Sequence, residues 1–253
     1  MKLLLINPNI SDSVSALIRV EAERTASAGT QVEVITASFG VAYIETRFEA
    51  MLGAYAAATI AAEEHERFDA VIVAAFGDPG LPALREALPI PVTGLTEAAL
   101  ASAHLLGHRI SIIAISQRIR AWYRETVASY GFESRLASIR GLDEPLADIG
   151  SVQDDQGERL MRLARCAVEE DGADVIVLAG APLAGLARTL RGRLPVPVVD
   201  GVSSAVRHAE SLVVLQPGKA REGSFAPPPR KPNRGLPPAI ARLLDNAAGP
   251  HST

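Results

Sequence analysis

The sequence predicts an α/β protein built as two pseudo-symmetric halves, each with a parallel sheet, facing one another across a cleft. Three observations carry this expectation. Continuous apolar runs of strand length alternate with amphipathic segments of helix length, the pattern of parallel sheets covered on both faces. The stretch Val71-Ile72-Val73-Ala74-Ala75, closing on Leu88-Pro89-Ile90-Pro91-Val92, returns as Val175-Ile176-Val177-Leu178-Ala179, closing on Leu194-Pro195-Val196-Pro197-Val198. The offset is 104 residues at the first match and 106 at the last, so a loop has gained two residues; Lys2–Asn9 and Arg109–Gln117 share a strand-then-helix character at an offset of about 108. Open parallel sheets bind ligands beyond the carboxyl ends of their strands, so the post-strand loops Phe76–Gly80 and Gly180–Gly185 are expected to meet across the cleft.

Lys2–Ile6 is a short apolar strand that Asn7-Pro8-Asn9 breaks, and Ser11 or Asp12 caps the helix that follows. Gln31–Thr36, rich in β-branched residues, reads as a second strand. The Ala-rich segment Arg47–Arg67 reads as a helix with Met51, Leu52, Tyr55 and Ile60 on or near one face. Ala70–Ala75 (strand), Pro79–Leu88 (helix), Ile90–Thr93 (strand), Glu97–Leu106 (helix), Ile110–Ile115 (strand) and Gln117–Tyr130 (helix) continue the alternation. From Gln216 onward, Pro217, the Pro227-Pro228-Pro229 run, Pro232, Pro237 and Pro238 set an extended, partly polyproline course before a short helix around Ala239–Asn246. This tail reads as a surface strap along the other half rather than a partner-binding motif. The expected division is residues 1–95 with 205–253 as the first half and its strap, and 96–204 as the second, the chain crossing between them.

The 253-residue chain carries 25 Lys+Arg against 29 Asp+Glu, a formal charge of −4. Phosphate recognition usually shows as a basic excess, so no nucleic-acid partner is expected. With 48% hydrophobic and 21% charged residues the composition is globular, and such a chain buries roughly 70% of its unfolded surface. No apolar run reaches the ~18 residues of a spanning helix, and the start MKLLLINPN is too short for a signal peptide. The single cysteine, Cys166, excludes an internal disulfide and a thiolate metal cluster. A soluble, cytoplasmic protein without a membrane partner is expected; the sequence leaves open whether it forms a homo-oligomer. His104 and His108 lie four apart, but Gly107 ends the helix between them, so helix-dipole partners are favoured over a metal site.

Asn7-Pro8-Asn9-Ile10-Ser11, Tyr43-Ile44-Glu45, Phe76-Gly77-Asp78-Pro79-Gly80-Leu81, Pro91-Val92-Thr93-Gly94-Leu95-Thr96-Glu97-Ala98 and Ser224-Phe225-Ala226-Pro227-Pro228-Pro229 occur together in this chain. In that combination the sequence resembles the hydantoin and allantoin racemases of the aspartate/glutamate racemase superfamily, from residue 7 to about residue 235. The resemblance implies two Rossmann-like halves with the site between them, in agreement with the repeat. It also implies isomerase chemistry without a cofactor: one cysteine thiolate takes a proton from a carbon beside a carbonyl, and a second thiol delivers one to the opposite face. Helix N-termini behind the two loops lower such thiol pKa values. In this chain Ala75 stands where the resemblance places the first cysteine, and Gly180 where it places the second. Cys166 lies in the helical stretch Arg159–Glu169, ahead of the Val175 strand, and reads as a helix-face core residue.

Alanine and glycine carry no proton, and each general acid–base group is worth about 10²–10⁴-fold, so two-thiol racemisation is expected to be lost. A natural divergent member, a binding relative without catalysis and a deliberately disabled variant all fit. A surviving activity needs another base. Asp78 is one alternative, although an Asp before Pro79 also suits a helix cap. The resemblance puts Tyr43 in the cleft as a substrate-facing phenol and Glu45 beside it as an acid or base; a solvated helix-start role suits Glu45 equally. Glu97 reads as a first-turn carboxylate. Asn7 and Asn9 follow the first strand, where their amides either bind a carbonyl or carboxylate or serve as turn residues. The Phe76-Gly77 and Gly180-Ala181 backbones are expected to form opposed anion-binding nests, a role that needs only N–H groups. The expected ligand is therefore a small amino-acid-derived carboxylate or a hydantoin-type cyclic imide; a non-catalytic small-molecule binder and a decarboxylase-type relative are the alternatives.

Overall fold

The computed structural model describes residues 1–143 and 149–247. The first half runs β1 (Lys2–Asn7), α1 (Asp12–Thr25), β2 (Gln31–Thr36), α2 (Arg47–Glu64), β3 (Ala70–Val73), α3 (Leu81–Ala87), β4 (Val92–Gly94) and α4 (Leu95–His104). The second repeats that order with β5 (Ile110–Ala114), α5 (Arg120–Ser129), β6 (Leu136–Gly141), α6 (Val152–Glu169), β7 (Val175–Leu178), α7 (Leu186–Leu190), β8 (Val198–Asp200) and α8 (Gly201–Leu215). A proline-rich strap then leads to α9 (Pro238–Ala247).

The strands form two four-stranded, all-parallel sheets with matching orders, β2-β1-β3-β4 and β6-β5-β7-β8. The inner strands β3 (AVIV) and β7 (VIVL) are buried at every residue, which is why the repeat reads as unbroken apolar runs. Edge strand β6 was not legible in this way: its residues are mostly half-buried and include Arg140. Helices α4 and α8 interlock the halves. Helix α4 leaves β4 to pack on β5, β7 and β8, whereas α8 packs on β3 and β4, and the two helices touch each other. One hydrophobic core consequently runs from Leu5 and Ile72 of the first sheet through Leu95 and Leu100 to Ile112 and Val177 of the second. A smaller cluster lies on the outer face of the first sheet, where Ala57, Ile60 and Leu84 meet Ala239 and Leu243 of α9.

Local chemistry sets the helix ends. Ser11 caps α1, and Thr46 with Glu49 forms a reciprocal capping box at the start of α2. Helix α2 departs from its expected face. It buries Ala50, Gly53, Ala56, Ala57, Ile60 and Ala61, while Met51 and Tyr55 are 57% and 46% exposed. Close approach decides this: a Cβ at Gly53 would lie 2.6 Å from Ile44 Cδ1, so α2 docks through its smallest side chains. Helix α3 begins at Leu81 rather than Pro79, because Gly80 turns the chain in the left-handed region (φ +78°) first. The strap returns to the first half, where Lys219 Nζ donates to the carbonyls of Arg85 and Glu86 at the end of α3. Among the described residues no helix is long and apolar enough to cross a membrane.

Candidate functional site

Ala75 lies two residues past β3, and Gly180 two residues past β7. A hydrogen bond spanning three residues closes a turn at both places. The Asp78 N–H donates to the Ala75 carbonyl at 3.1 Å, and the Leu183 N–H to the Gly180 carbonyl at 3.0 Å. Among the described residues, the N–H groups of Ala75, Phe76, Gly180 and Ala181 have no hydrogen-bond partner in the chain. Gly77, expected in the first nest, is committed elsewhere: its N–H donates to Thr96 Oγ1 at 2.6 Å. The Trp122 ring of α5 covers Gly77 so closely that a Cβ there would sit 2.3 Å from it. Gly180 adopts φ +111°, a conformation that side-chain-bearing residues rarely enter.

Asp78 does cap a helix, but α4 rather than the helix it precedes in sequence. Its carboxylate accepts the Thr96 and Glu97 N–H groups at 2.9 Å each and the Tyr130 hydroxyl of the second half at 2.9 Å. Burial pushes its pKa up to about 6, outweighing these three donors, and the Glu97 carboxylate adds to the rise. Gly94 makes room, since a Cβ there would lie 2.4 Å from Asp78 Cγ. The partner of Asp78 in the second loop comes from another helix. Glu21 of α1 is buried, packs against Gly185, and accepts from Arg24, Arg188 at 3.1 Å and Ser203 at 2.6 Å. Burial raises its pKa, but the hydrogen bonds from Arg24, Ser203 and Arg188 prevail and bring it down to about 2. A buried carboxylate thus ties each post-strand loop to the opposite half. Sequence reasoning missed Glu21, because with Arg24 it reads as an ordinary surface pair.

Asn7 and Asn9 serve the β1–α1 turn. Asn7 Nδ2 donates to the Ser11 carbonyl and to Ser15 Oγ, its Oδ1 accepts from Asn9 N–H, and Asn9 Oδ1 accepts from Ser11 N–H at 2.9 Å. Tyr43 and Glu45 sit half-buried in the β2–α2 loop. The Glu45 carboxylate raises the Tyr43 pKa, helped by burial, and also acts on the buried Tyr123 of α5. Among the described residues it makes no hydrogen bond or ion pair of its own. Tyr123 in turn packs on Phe76, ring centroids 4.8 Å apart. Tyr43, Glu45, Phe76 and Tyr123 therefore gather beside the first loop; Trp122 and Tyr123 were seen in the sequence only as helix residues.

Glu97 is held by Arg85 at 3.0 Å. Cys166 lies on α6, outside both post-strand loops, its pKa raised by burial and by the hydrogen bond to Glu170. His104 packs against the Phe132 ring and His108 Nδ1 faces Arg135 at 2.8 Å. Among the described residues no group of three His, Cys, Asp or Glu side chains is placed to hold a metal ion.

A model of the Asp/Glu/hydantoin racemase family matches residues 3–209. The chain is 36% identical to hydantoin racemase from Paenarthrobacter aurescens, over 91% of this chain and 99% of that protein. It is 33% identical to hydantoin racemase from Pseudomonas sp. strain NS671, over 91% and 93%. Among solved structures, allantoin racemase from Klebsiella pneumoniae matches with a TM-score of 0.90 at 32% identity, covering 95% of this chain and 98% of that one. Arylmalonate decarboxylase, with a TM-score of 0.59 at 17% identity, shares the fold. With the family match running from the first strand into α8, the chain belongs to the Asp/Glu/hydantoin racemase family.

Proposed function

We propose that this protein recognises a small amino-acid-derived carboxylate or a hydantoin-type ring between its two post-strand loops, and that it has lost two-thiol racemisation. One observation carries the reading: the equivalent positions Ala75 and Gly180 bear no proton-carrying group, yet each begins a pair of unspent N–H donors. Four such donors suit the oxygens of a carboxylate or an imide, and they bind without transferring a proton. Phe76 and Tyr43 supply the walls against which an apolar substituent rests. The reading is of a cofactor-independent, cytoplasmic protein whose site lies between two α/β halves, residues 1–95 with 205–253 and residues 96–204.

A second reading keeps catalysis, with Glu45 as the base, and rests on the Glu45 carboxylate having no partner among the described residues. Incubation with single enantiomers of 5-substituted hydantoins, allantoin or aspartate in D₂O, followed by NMR of the α-position, separates the two. The binding reading expects exchange at the buffer rate together with a ligand-dependent rise in Tm. Exchange above the buffer rate that Glu45→Gln removes favours the second reading. Neither exchange nor stabilisation with any of these compounds overturns the ligand class.

A further inference from the structure

A cavity of about 660 Å³ opens at the amino-terminal ends of β3 and β4, away from the post-strand loops. Phe68, Ile90, Val92, Leu212 and Phe225 wall it, and the strap from Gln216 to Ala220 closes one side. A second cavity of about 620 Å³ shares Phe68, Pro89, Ile90 and Lys219 with it and continues beneath Pro227 towards α9. The first cavity is mainly apolar, whereas Glu63, His65, Glu66 and Arg242 also line the second; volumes of this order are those of small-molecule sites.

Among the described residues, two charges lining the first cavity have no ion pair, the Asp69 carboxylate and the Lys219 ammonium. Asp69 accepts the Lys2 backbone N–H at 2.6 Å, and Arg85 pairs with Glu97 at 3.0 Å. Lys219 lines both cavities, yet its ammonium bonds only the Arg85 and Glu86 carbonyls and, among the described residues, forms no ion pair. The Glu86 side chain acts on it only through space, and burial holds the Lys219 pKa below its ordinary value. An ammonium has three donors, so one N–H and a charge without an ion pair remain where the two cavities join.

We propose that these cavities form a second ligand site for a small anion with an apolar body, its carboxylate on Lys219 and its body between Phe68, Ile90, Leu212 and Phe225. Calorimetric titration with 4-phenylbutyrate and its neutral counterpart 4-phenylbutan-1-ol tests this. The acid should bind saturably and about tenfold more tightly than the alcohol, the effect of one charge-assisted hydrogen bond. Lys219→Met should bring the acid down to the affinity of the alcohol and leave the alcohol unchanged. Because Lys219 also holds the end of α3, Phe225→Asp provides a variant that leaves it intact. Phe225 is 40% exposed, and a carboxylate there should weaken the acid more than the alcohol. No saturable binding of 4-phenylbutyrate, or binding that both substitutions leave unchanged, overturns the proposal.

Discussion

Gly77 and Asp78 show how far single residues shape the first loop. At φ +98°, with Trp122 where a Cβ would go, Gly77→Ala combines backbone strain with overpacking and should cost about 2–4 kcal/mol in urea unfolding. Asp78 runs against the usual behaviour of carboxylates. Its pKa is raised from 3.8 to about 6, so the folded protein holds the proton more tightly than the unfolded chain does. Its contribution is fully present below about pH 3.8 and is lost as pH rises through about 6, a swing of about 3 kcal/mol. The stability of the wild type relative to Asp78→Asn should therefore fall between about pH 4 and pH 7; a flat or rising difference contradicts the assignment. That Asp78 caps a helix was legible from Asp78-Pro79. Which helix it caps was not, because Thr96 and Glu97 come from a strand–helix junction eighteen and nineteen residues on.

Each post-strand loop is held by a helix of the opposite half, and the two attachments have opposite pH signatures. Tyr130→Phe removes one of three donors to buried Asp78 and should cost about 1–2 kcal/mol while moving the Asp78 titration upward. Glu21→Ala leaves Arg24, Arg188 and Ser203 without their common acceptor and should cost about 2–4 kcal/mol at neutral pH. With its pKa depressed to about 2, Glu21 stabilises the fold above its ordinary value near 4.5, and that contribution is lost as pH falls through about 2. Thermal melts of the variants across pH separate these signatures. The inner strands were readable because burial on both faces makes them uniformly apolar. Helix α2 was readable as a helix, but its buried face and strand β6 were not, since close packing through Gly53 leaves Met51 and Tyr55 exposed and half-burial erases the signal of β6.

At the scale of the molecule, the repeat made the two sheets and their shared topology legible, and the division expected from the sequence has the chain crossing between halves near residues 95 and 205; in the structure α4 and α8 exchange halves. That exchange makes one continuous core, so unfolding should be a single transition. The lone tryptophan, Trp122, reports directly, because it packs on Gly77 across the junction. Its fluorescence and the far-UV circular dichroism should change at the same urea concentration, and separate midpoints contradict an interlocked fold. The proposal that matters most is that the loops at Ala75 and Gly180 share one ligand and that racemisation is lost for want of thiols at these two positions. Gly180→Cys carries backbone strain of about 1–3 kcal/mol, so folding of each variant is checked by its melt. The deciding measurement is α-proton exchange and enantiomer interconversion of a 5-substituted hydantoin by the folded Ala75→Cys/Gly180→Cys protein. The account predicts racemisation by the double variant and none by the wild type or by either single variant. A folded double variant that binds the hydantoin and leaves its α-proton untouched contradicts it.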